Sequence, residues 1–337
     1  MNITDSLMSS KLARRQARKR LRRLFNDAAD ISRDMRWYLA FVFPAVGCVN
    51  FGIVLLGTFK RSASSTSYFH MLVIGVADLY AIVSVETQYL MNYFGHPFND
   101  VECVLKQFHK IGPSQIAIWF LVLMTIDRAK AVPKPLQAVS ICTIKRSCKL
   151  LFVTAVLLTV QNLGWCSQFE SIKYRIWTNC QIVEKYVLFA YYATTNTISL
   201  YVPFVVISVA NWIIISSVRK SAKLPVAKGT ASYKKQGASN KITALVVTTA
   251  LAFLCFTFPM CLFDTLVLEK GSLEETTTYY VPNCRLFGSY AWFVLFGHVG
   301  ATLLYRANHV LNGFIYLASS EQFRKDLLTT ICNASKR

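Results

Sequence analysis

Seven long apolar segments, separated by shorter polar ones, dominate the pattern of hydrophobic and polar positions along this chain. Each segment is long enough to cross a bilayer, because about 20 residues of α-helix cover the ~30 Å hydrocarbon core. Lipid offers the backbone no hydrogen-bond partners, so each segment is predicted to be a helix. The predicted spans cover residues 37–58, 68–93, 103–131, 150–169, 186–218, 242–268 and 286–317. The pattern therefore predicts an all-α membrane protein built as a seven-transmembrane-helix bundle.

A shorter amphipathic pattern follows the seventh span. Phe323, Leu327, Leu328 and Ile331 recur at helical spacing between polar residues, which is typical of a helix lying along a membrane surface. An eighth, short amphipathic helix is therefore expected. The chain is thus divided into a basic extracellular tail, the seven-helix domain, and the eighth helix with a short cytoplasmic tail, which cover residues 1–36, 37–317 and 318–337.

The composition supports a membrane protein over the other classes. Hydrophobic residues make up 54% of the chain and charged residues only 16%, well below the roughly 25% typical of soluble domains. The net charge of +20 would fit a nucleic-acid binder, but the basic residues lie between apolar runs, so the expected partner is the lipid bilayer and not nucleic acid. The sequence contains no metal-ligand cluster, phosphate-binding glycine loop or nucleophile elbow. Neither an enzyme nor a structural metal site is predicted.

Lysine and arginine are distributed unevenly between alternate loops. They are much more frequent in residues 128–150, 219–241 and 318–337 than in the alternate connections. The positive-inside rule therefore predicts a cytoplasmic C-terminus, an external N-terminus and a multi-pass protein of the plasma membrane. The basic run at residues 12–23 favours the opposite orientation. It lies, however, at the limit of the distance from the first span within which Lys and Arg influence the orientation. That run is either a solvated tail or a helix that contacts the membrane surface or a ligand.

The inner end of the third span carries the most specific motif. Asp127-Arg128, followed by Pro135-Leu136 in the next loop, resembles the Asp-Arg-Tyr end of the third helix in rhodopsin-like (class A) G-protein-coupled receptors, with Ala129 in place of tyrosine. The other spans carry further residues that match this family. These are Asn50, Asp78, Pro203, Phe253, Pro259, Asn312 and Tyr316. Gly313 stands where the family has the proline of its Asn-Pro-x-x-Tyr motif.

The resemblance implies a cell-surface receptor that transmits an extracellular signal to a heterotrimeric G protein. The residues it implies for coupling are Asp127, Arg128, Asn312 and Tyr316, with Asp127 as the carboxylate that neutralises Arg128. The resemblance leans towards invertebrate neuropeptide receptors, so the expected ligand is a peptide. A membrane transporter or channel is the alternative, although neither inverted halves nor broken midplane helices are visible in the sequence.

Two cysteines fall on the side predicted to be external. Cys103 begins the third span and Cys180 lies in the second outer loop, and a disulfide persists in that oxidising compartment. A Cys103–Cys180 bridge is therefore expected, with two unpaired thiols as the alternative. Asn2 is a candidate for glycosylation, because Asn2-Ile3-Thr4 is a sequon on the side predicted to be external. Cys332 follows the eighth helix at the place where members of the family are palmitoylated, which makes it a candidate for that modification.

The resemblance places a ligand pocket between the outer ends of the helices. Lys106 and Lys110 form its wall on the third helix, and Lys110 stands where amine receptors carry an aspartate. Arg306 stands where opsins carry the lysine that binds retinal, and a guanidinium cannot form that linkage. These cations require either an anionic group on the ligand or internal carboxylates, for which Glu86 and Asp264 are the candidates.

A cluster of polar residues is expected at the middle of the bundle. In many relatives the corresponding residues hold a sodium ion, which is the one candidate for a bound cofactor here. The cluster consists of Asn50, Asp78, Asn308 and Asn312. Ala117 replaces the serine that relatives contribute from the third helix, and His309 adds a further candidate cation. Sodium binding and a water-filled hydrogen-bond network are the two alternatives.

Several positions depart from the family pattern in ways that bear on activation. Ser239 stands where many members carry an acid that pairs with the third-helix arginine, and Thr257 stands where the sixth helix usually has a tryptophan. Because such a pair would favour the inactive state, its absence predicts detectable activity without ligand.

Overall fold

The computed structural model describes residues 37–94, 99–133, 142–173, 178–222, 231–269 and 287–334, together with Gln137 and Ser140. The first four helices are α1 (Trp37–Ser62), α2 (Thr66–Tyr93), α3 (Asp100–Ala131) and α4 (Ile144–Cys166). Helix α5 comprises Lys185–Asn196, a π-helical turn Thr197–Tyr201, and Val202–Ala222. The last three are α6 (Ala231–Glu269), α7 (Phe287–Ser319) and α8 (Glu321–Ala334). The prediction of an all-α bundle is confirmed.

Helix α3 lies at the centre of the bundle. It packs against α2, α4, α5 and α6, while α7 packs against α2 and α6. Among the described helices, the apolar segments Trp37–Ser62, Thr66–Met91, Ile144–Cys166, Tyr186–Lys220 and Thr243–Phe263 are long and apolar enough to span a membrane. Neighbouring helices shield α3 from lipid, so it can carry polar residues such as Lys106, Gln107 and Gln115 along a helix of 32 residues.

The exterior of the bundle is apolar. Trp212 on α5 and Phe152 on α4 are 73% and 70% exposed, while the interior of the bundle contains fully buried side chains such as Ile207 and Phe253. In water an apolar exterior of this kind would be unfavourable, because each exposed Å² of apolar surface costs about 25 cal/mol. The arrangement is that of a protein whose outer surface contacts lipid acyl chains.

A π-helical turn interrupts α5 immediately before Pro203. Proline has no backbone N–H to continue the regular α-helical pattern, and the N–H of Val202 donates to the carbonyl of Thr197, five residues back. The widened turn leaves the carbonyl of Ile198 able to accept a hydrogen bond from Nε1 of Trp119 at 2.9 Å. The Pro203 noted in the sequence thus creates a specific contact between α3 and α5.

The structure corrects three boundaries expected from the sequence. Helix α6 starts at Ala231, so part of the predicted 219–241 loop is helical, because hydropathy detects only the membrane-embedded part of a longer helix. Helix α4 starts at Ile144, where the side chain of Thr143 accepts from the backbone N–H of Arg146 and caps the helix. It ends at Cys166, before the Phe169 predicted as its last residue.

A two-stranded antiparallel sheet in the second outer loop was not predicted. Strands β1 (Glu170–Lys173) and β2 (Thr178–Gln181) pair with Ser171 opposite Cys180. Asp100 at the start of α3 accepts hydrogen bonds from the backbone N–H and the hydroxyl of Ser171, at 3.0 and 2.5 Å. The hairpin is thereby fixed over the outer end of α3.

Helix α8 is anchored to the inner ends of α1 and α2. Phe323 is fully buried and packs edge-on against Tyr316 of α7. A side chain at Gly57 would not fit, since a Cβ there would overlap the ring of Phe323. Asp326 accepts from Nε of Arg61 at 2.9 Å and from the hydroxyl of Tyr68 at 3.0 Å. Apolar packing and two polar contacts therefore determine where α8 lies.

Candidate functional site

Arg128 lies near the inner end of α3 and is held by a neutral hydroxyl. Its Nη2 donates to Oγ1 of Thr66, the first residue of α2, at 3.1 Å. Its Nε is buried and has no hydrogen-bond partner among the described residues. A guanidinium bound through one neutral acceptor is held less strongly than one in a bidentate pair with a carboxylate. Arg128 is therefore restrained by one hydrogen bond to a neutral acceptor among the described residues.

Asp127 makes its contacts away from Arg128. Its Oδ2 accepts from the hydroxyl of Ser147 on α4 at 3.2 Å and lies 3.8 Å from Nε2 of His70 on α2. Its backbone carbonyl accepts from Sγ of Cys142. Burial, together with the negative charge of Asp127, raises the pKa of the Cys142 thiol, which keeps this cysteine protonated. Within the described residues, the expected direct ion pair between Asp127 and Arg128 is not formed, because Asp127 faces α2 and α4.

Thr66 is expected to restrain the inactive state through its hydroxyl. Replacing Thr66 by valine keeps the shape but removes the acceptor for Arg128, and losing about 1 kcal/mol of hydrogen bonding shifts a two-state equilibrium about fivefold. On the G-protein coupling that the resemblance implies, we expect Thr66→Val to raise ligand-independent nucleotide exchange by that factor. Thr66→Ser, which keeps the hydroxyl, should behave like the natural chain. An unchanged basal rate in Thr66→Val at equal surface expression would show that this contact does not restrain activation.

The polar cluster predicted at the middle of the bundle is present and is buried. Asp78 on α2 is 2% exposed, and each of its carboxylate oxygens has a partner on α7. Nδ1 of His309 lies 2.7 Å from Oδ1, and Nδ2 of Asn312 donates to Oδ2 at 2.7 Å. Asn308 and Tyr316, also on α7, are buried as well. The predicted cluster thus links α2 to α7, with His309 as a direct partner of Asp78.

Gly313 joins this cluster to α1. Its backbone N–H donates to Oδ1 of Asn50 at 2.5 Å. A Cβ at position 313 would lie 2.8 Å from the backbone oxygen of Asn50, so no larger residue fits without movement of α1 or α7. The replacement of the family's proline by glycine therefore allows both a close approach of the two helices and a hydrogen bond that proline could not donate.

Charged residues converge near the outer ends of α2, α3 and α7. Nη1 of Arg306 donates to Oε1 of Glu86 at 2.7 Å, and Glu86 is 1% exposed. The guanidinium of Arg306 also lies 6.0 Å from the ring centroid of Phe43. Of the two carboxylates proposed as internal partners, Glu86 thus pairs with Arg306. The other proposed carboxylate, Asp264, lies in α6, but its side chain is outside the part of the chain that the structure describes.

Lys110 is exposed and forms no ion pair within the described residues. It is close enough to Arg306 and to the buried Lys106 for like-charge repulsion. Because Glu86 is committed to Arg306, this part of the bundle has more positive than negative charge among the described side chains. Such a region favours an anionic group.

A second buried network links α3, α4 and α5 and was missed in the sequence. Asn162 donates to Oε1 of Gln115 and, at 2.8 Å, to the carbonyl of Leu158. Nε2 of Gln115 donates to the hydroxyl of Ser199 at 3.1 Å. The available signal was an amide or hydroxyl side chain within each of three spans, since buried amides need partners. This network fixes the packing of these helices midway between the outer charges and Arg128.

The two external cysteines are joined. Cys103 and Cys180 form a disulfide with their Cα atoms 5.6 Å apart, which ties α3 to strand β2. The disulfide prediction is confirmed, and the unpaired alternative is wrong. Cys332 lies exposed on α8, which leaves the palmitoylation expectation untested. The candidate glycosylation residue Asn2 falls outside the described residues.

Residues 49–316 match the family described as "7 transmembrane receptor (rhodopsin family)". This match runs from within α1 to near the end of α7 and includes the inner Asp127-Arg128 pair. The chain is a rhodopsin-family receptor. Seven transmembrane helices and a multi-pass membrane location follow from membership, and the expectation that the protein is not an enzyme is confirmed.

The receptor is similar to curated proteins of two kinds. An allatostatin-A receptor of Bombyx mori is 25% identical over 308 residues, which cover 87% of this receptor and 78% of the relative. A green-sensitive opsin of Gallus gallus is 24% identical over 294 residues, which cover 83% and 75% of the two chains. A blue-sensitive opsin of Gekko gecko is 22% identical over 313 residues, which cover 88% and 80%. At these identities the similarity identifies the family, but it does not show that this receptor binds the same ligand as either relative.

Proposed function

We propose that this receptor binds an extracellular peptide and activates a heterotrimeric G protein at the plasma membrane, with its N-terminus outside and its C-terminus in the cytoplasm. The observation that carries this proposal is the arrangement at the inner end of α3, where a partly buried Arg128 is held by a single neutral hydroxyl. A weakly held cation can exchange its partner when another protein docks. Asp127, Asn312 and Tyr316 would support the same step.

Coupling in this proposal runs along α7. Asn312 is bound to Asp78, Gly313 is bound to Asn50, and Tyr316 packs against Phe323 of α8. A shift of α7 at Arg306, which is paired with Glu86, would therefore displace contacts with α1, α2 and α8. Packed helices have discrete arrangements and do not deform continuously, so a small shift at Arg306 can open an inner cleft.

Lys110 is the residue we assign to an anionic group of the ligand. It is exposed and lies on the central helix. The Bombyx mori relative is named for allatostatin-A, which fits a peptide as the ligand, and peptides offer carboxylates through acidic side chains or a free C-terminus. A charge-assisted hydrogen bond between an ammonium and a carboxylate contributes about 1.5–3 kcal/mol to affinity.

Lys110→Ala is expected to raise the half-maximal concentration of an activating acidic peptide by about 10- to 100-fold. Lys110→Arg keeps the charge and should stay within about threefold of the natural receptor. The measurement is G-protein activation in cells against peptides carrying Asp or Glu and their Asn or Gln counterparts. Equal potency of acidic and amide peptides on the natural receptor would contradict the assignment of Lys110.

The function itself is tested by screening peptide libraries in cells that report dissociation of each class of heterotrimeric G protein. We expect at least one peptide to activate at least one class in cells that express the receptor and not in matched cells without it. The alternative, a transporter or channel, makes a different prediction, namely flux of a solute through receptor-containing vesicles. Solute flux without any G-protein response would reject the proposed function.

A further inference from the structure

The polar cluster at Asp78 contains its own nitrogen donors. Both oxygens of the Asp78 carboxylate are engaged, Oδ1 by Nδ1 of His309 and Oδ2 by the amide of Asn312, each at 2.7 Å. His309 and Asp78 are each 2% exposed, so water competes little for this contact. Nδ1 of His309 and the amide of Asn312 therefore occupy the two oxygens through which Asp78 could bind a cation.

The surrounding residues do not fit a sodium ion. A hard cation such as sodium is coordinated by oxygen lone pairs, whereas His309 and Asn312 present nitrogen donors to the carboxylate. The side-chain oxygen of Asn50 accepts from the backbone N–H of Gly313, and Ala117 contributes a methyl group in place of a hydroxyl. A sodium ion bound to Oδ1 of Asp78 would have to displace the imidazole of His309.

We propose that His309 has taken over the electrostatic role of a bound cation at Asp78, so that sodium does not regulate this receptor. The inference rests on the proposed function only in treating the α2–α7 contact as part of the conformational switch. Because the partner of Asp78 is covalently part of α7, the two helices are held together at every sodium concentration. The contact between Asp78 and His309 is lost only when α7 moves. A change in the ionic medium cannot produce that movement.

The test uses thermal unfolding of the purified full-length receptor in detergent, without G protein or ligand. Unfolding temperatures are compared in sodium chloride, potassium chloride and N-methylglucamine chloride at equal ionic strength. We expect the three values for the natural receptor to agree within about 1 °C. A stabilisation specific to sodium that Asp78→Asn removes would overturn the proposal.

A second variant is designed to let sodium bind beside Asp78. His309→Ser combined with Ala117→Ser replaces the imidazole and the methyl group by hydroxyl oxygens. We expect this double variant to gain a sodium-specific rise of about 2–4 °C in its unfolding temperature, because a ligand that binds only the folded state stabilises it. A folded double variant with no such rise would show that His309 does not exclude sodium. If the double variant does not fold, the salt comparison on the natural receptor decides the question.

Neither measurement involves signalling, so the result is independent of the proposed function. Failure of the peptide screen would leave the thermal result unchanged. A sodium-stabilised natural receptor would equally leave the assignment of Arg128 and Lys110 unchanged. The two proposals can therefore be rejected separately.

Discussion

Replacing Gly313 by proline is expected to destabilise this receptor severely, although proline is the residue that the family motif carries at this position. Proline would remove the N–H that donates to Oδ1 of Asn50, and Asn50 is only 1% exposed. A buried acceptor left without a donor costs about 1–3 kcal/mol. The added atoms would also meet Asn50, whose backbone oxygen lies 2.8 Å from the place of a Cβ, and overpacking costs typically about 1–3 kcal/mol more.

The measurements are surface expression and the unfolding temperature of the purified receptor. Gly313→Ala is the matched control, since alanine adds a Cβ but keeps the N–H, and it should fall between the natural chain and Gly313→Pro. If Gly313→Pro were expressed and unfolded like the natural receptor, the contact between α1 and α7 would have no energetic importance. That outcome would also mean that glycine and proline are interchangeable at this position.

Arg128→Ala is expected to abolish most G-protein activation while leaving folding intact. Arg128 contributes one hydrogen bond to Thr66 and has a buried Nε without a partner among the described residues, so its removal costs the folded state little. Coupling free energies between sites are typically about 1–3 kcal/mol, which corresponds to a loss of about 5- to 150-fold in activation. The measurement is peptide-stimulated G-protein activation normalised to receptors on the cell surface.

The matched control is Arg128→Lys, which keeps the positive charge but loses the planar guanidinium. We expect partial activity from it, between the natural receptor and Arg128→Ala. Surface levels of all three should agree within about twofold. Loss of surface receptor in Arg128→Ala would mean that the arginine is needed for folding, and the coupling assignment would then lose its support.

The spans and the disulfide could be predicted because they depend on local properties of the sequence. Long apolar runs must be helical in lipid whatever their neighbours, and the side of the membrane decides whether Cys103 and Cys180 can pair. Helix α8 was predictable for the same reason, since the spacing of Phe323, Leu327 and Ile331 is a property of one segment.

Contacts between helices were less predictable, because periodicity does not specify the rotation and register of one helix against another. The sequence indicated a carboxylate beside Arg128, but the rotation of α3 directs Asp127 towards Ser147 and His70 and brings Thr66 to the arginine. The network from Asn162 through Gln115 to Ser199 depends likewise on how three helices pack.

One contact between helices, that of His309 with Asp78, could be predicted in part from the sequence. His309 and Asn312 are three residues apart, which places both on the same face of α7, and Asn312 was already expected beside Asp78. The spacing therefore indicated that His309 would also reach the carboxylate. The sequence left open whether the cluster holds a sodium ion or a water-filled hydrogen-bond network, and the structure places Nδ1 of His309 2.7 Å from Oδ1 of Asp78.

The central claim is that this receptor activates G proteins through Arg128. Its most direct test is nucleotide exchange by purified heterotrimeric G proteins on vesicles that contain the natural receptor, Arg128→Ala, or no receptor. The account predicts faster exchange with the natural receptor, further increased by an activating peptide, and the rate of receptor-free vesicles with Arg128→Ala at equal receptor content. Equal acceleration by the natural receptor and Arg128→Ala, or no acceleration by the natural receptor with any class of G protein, would contradict it.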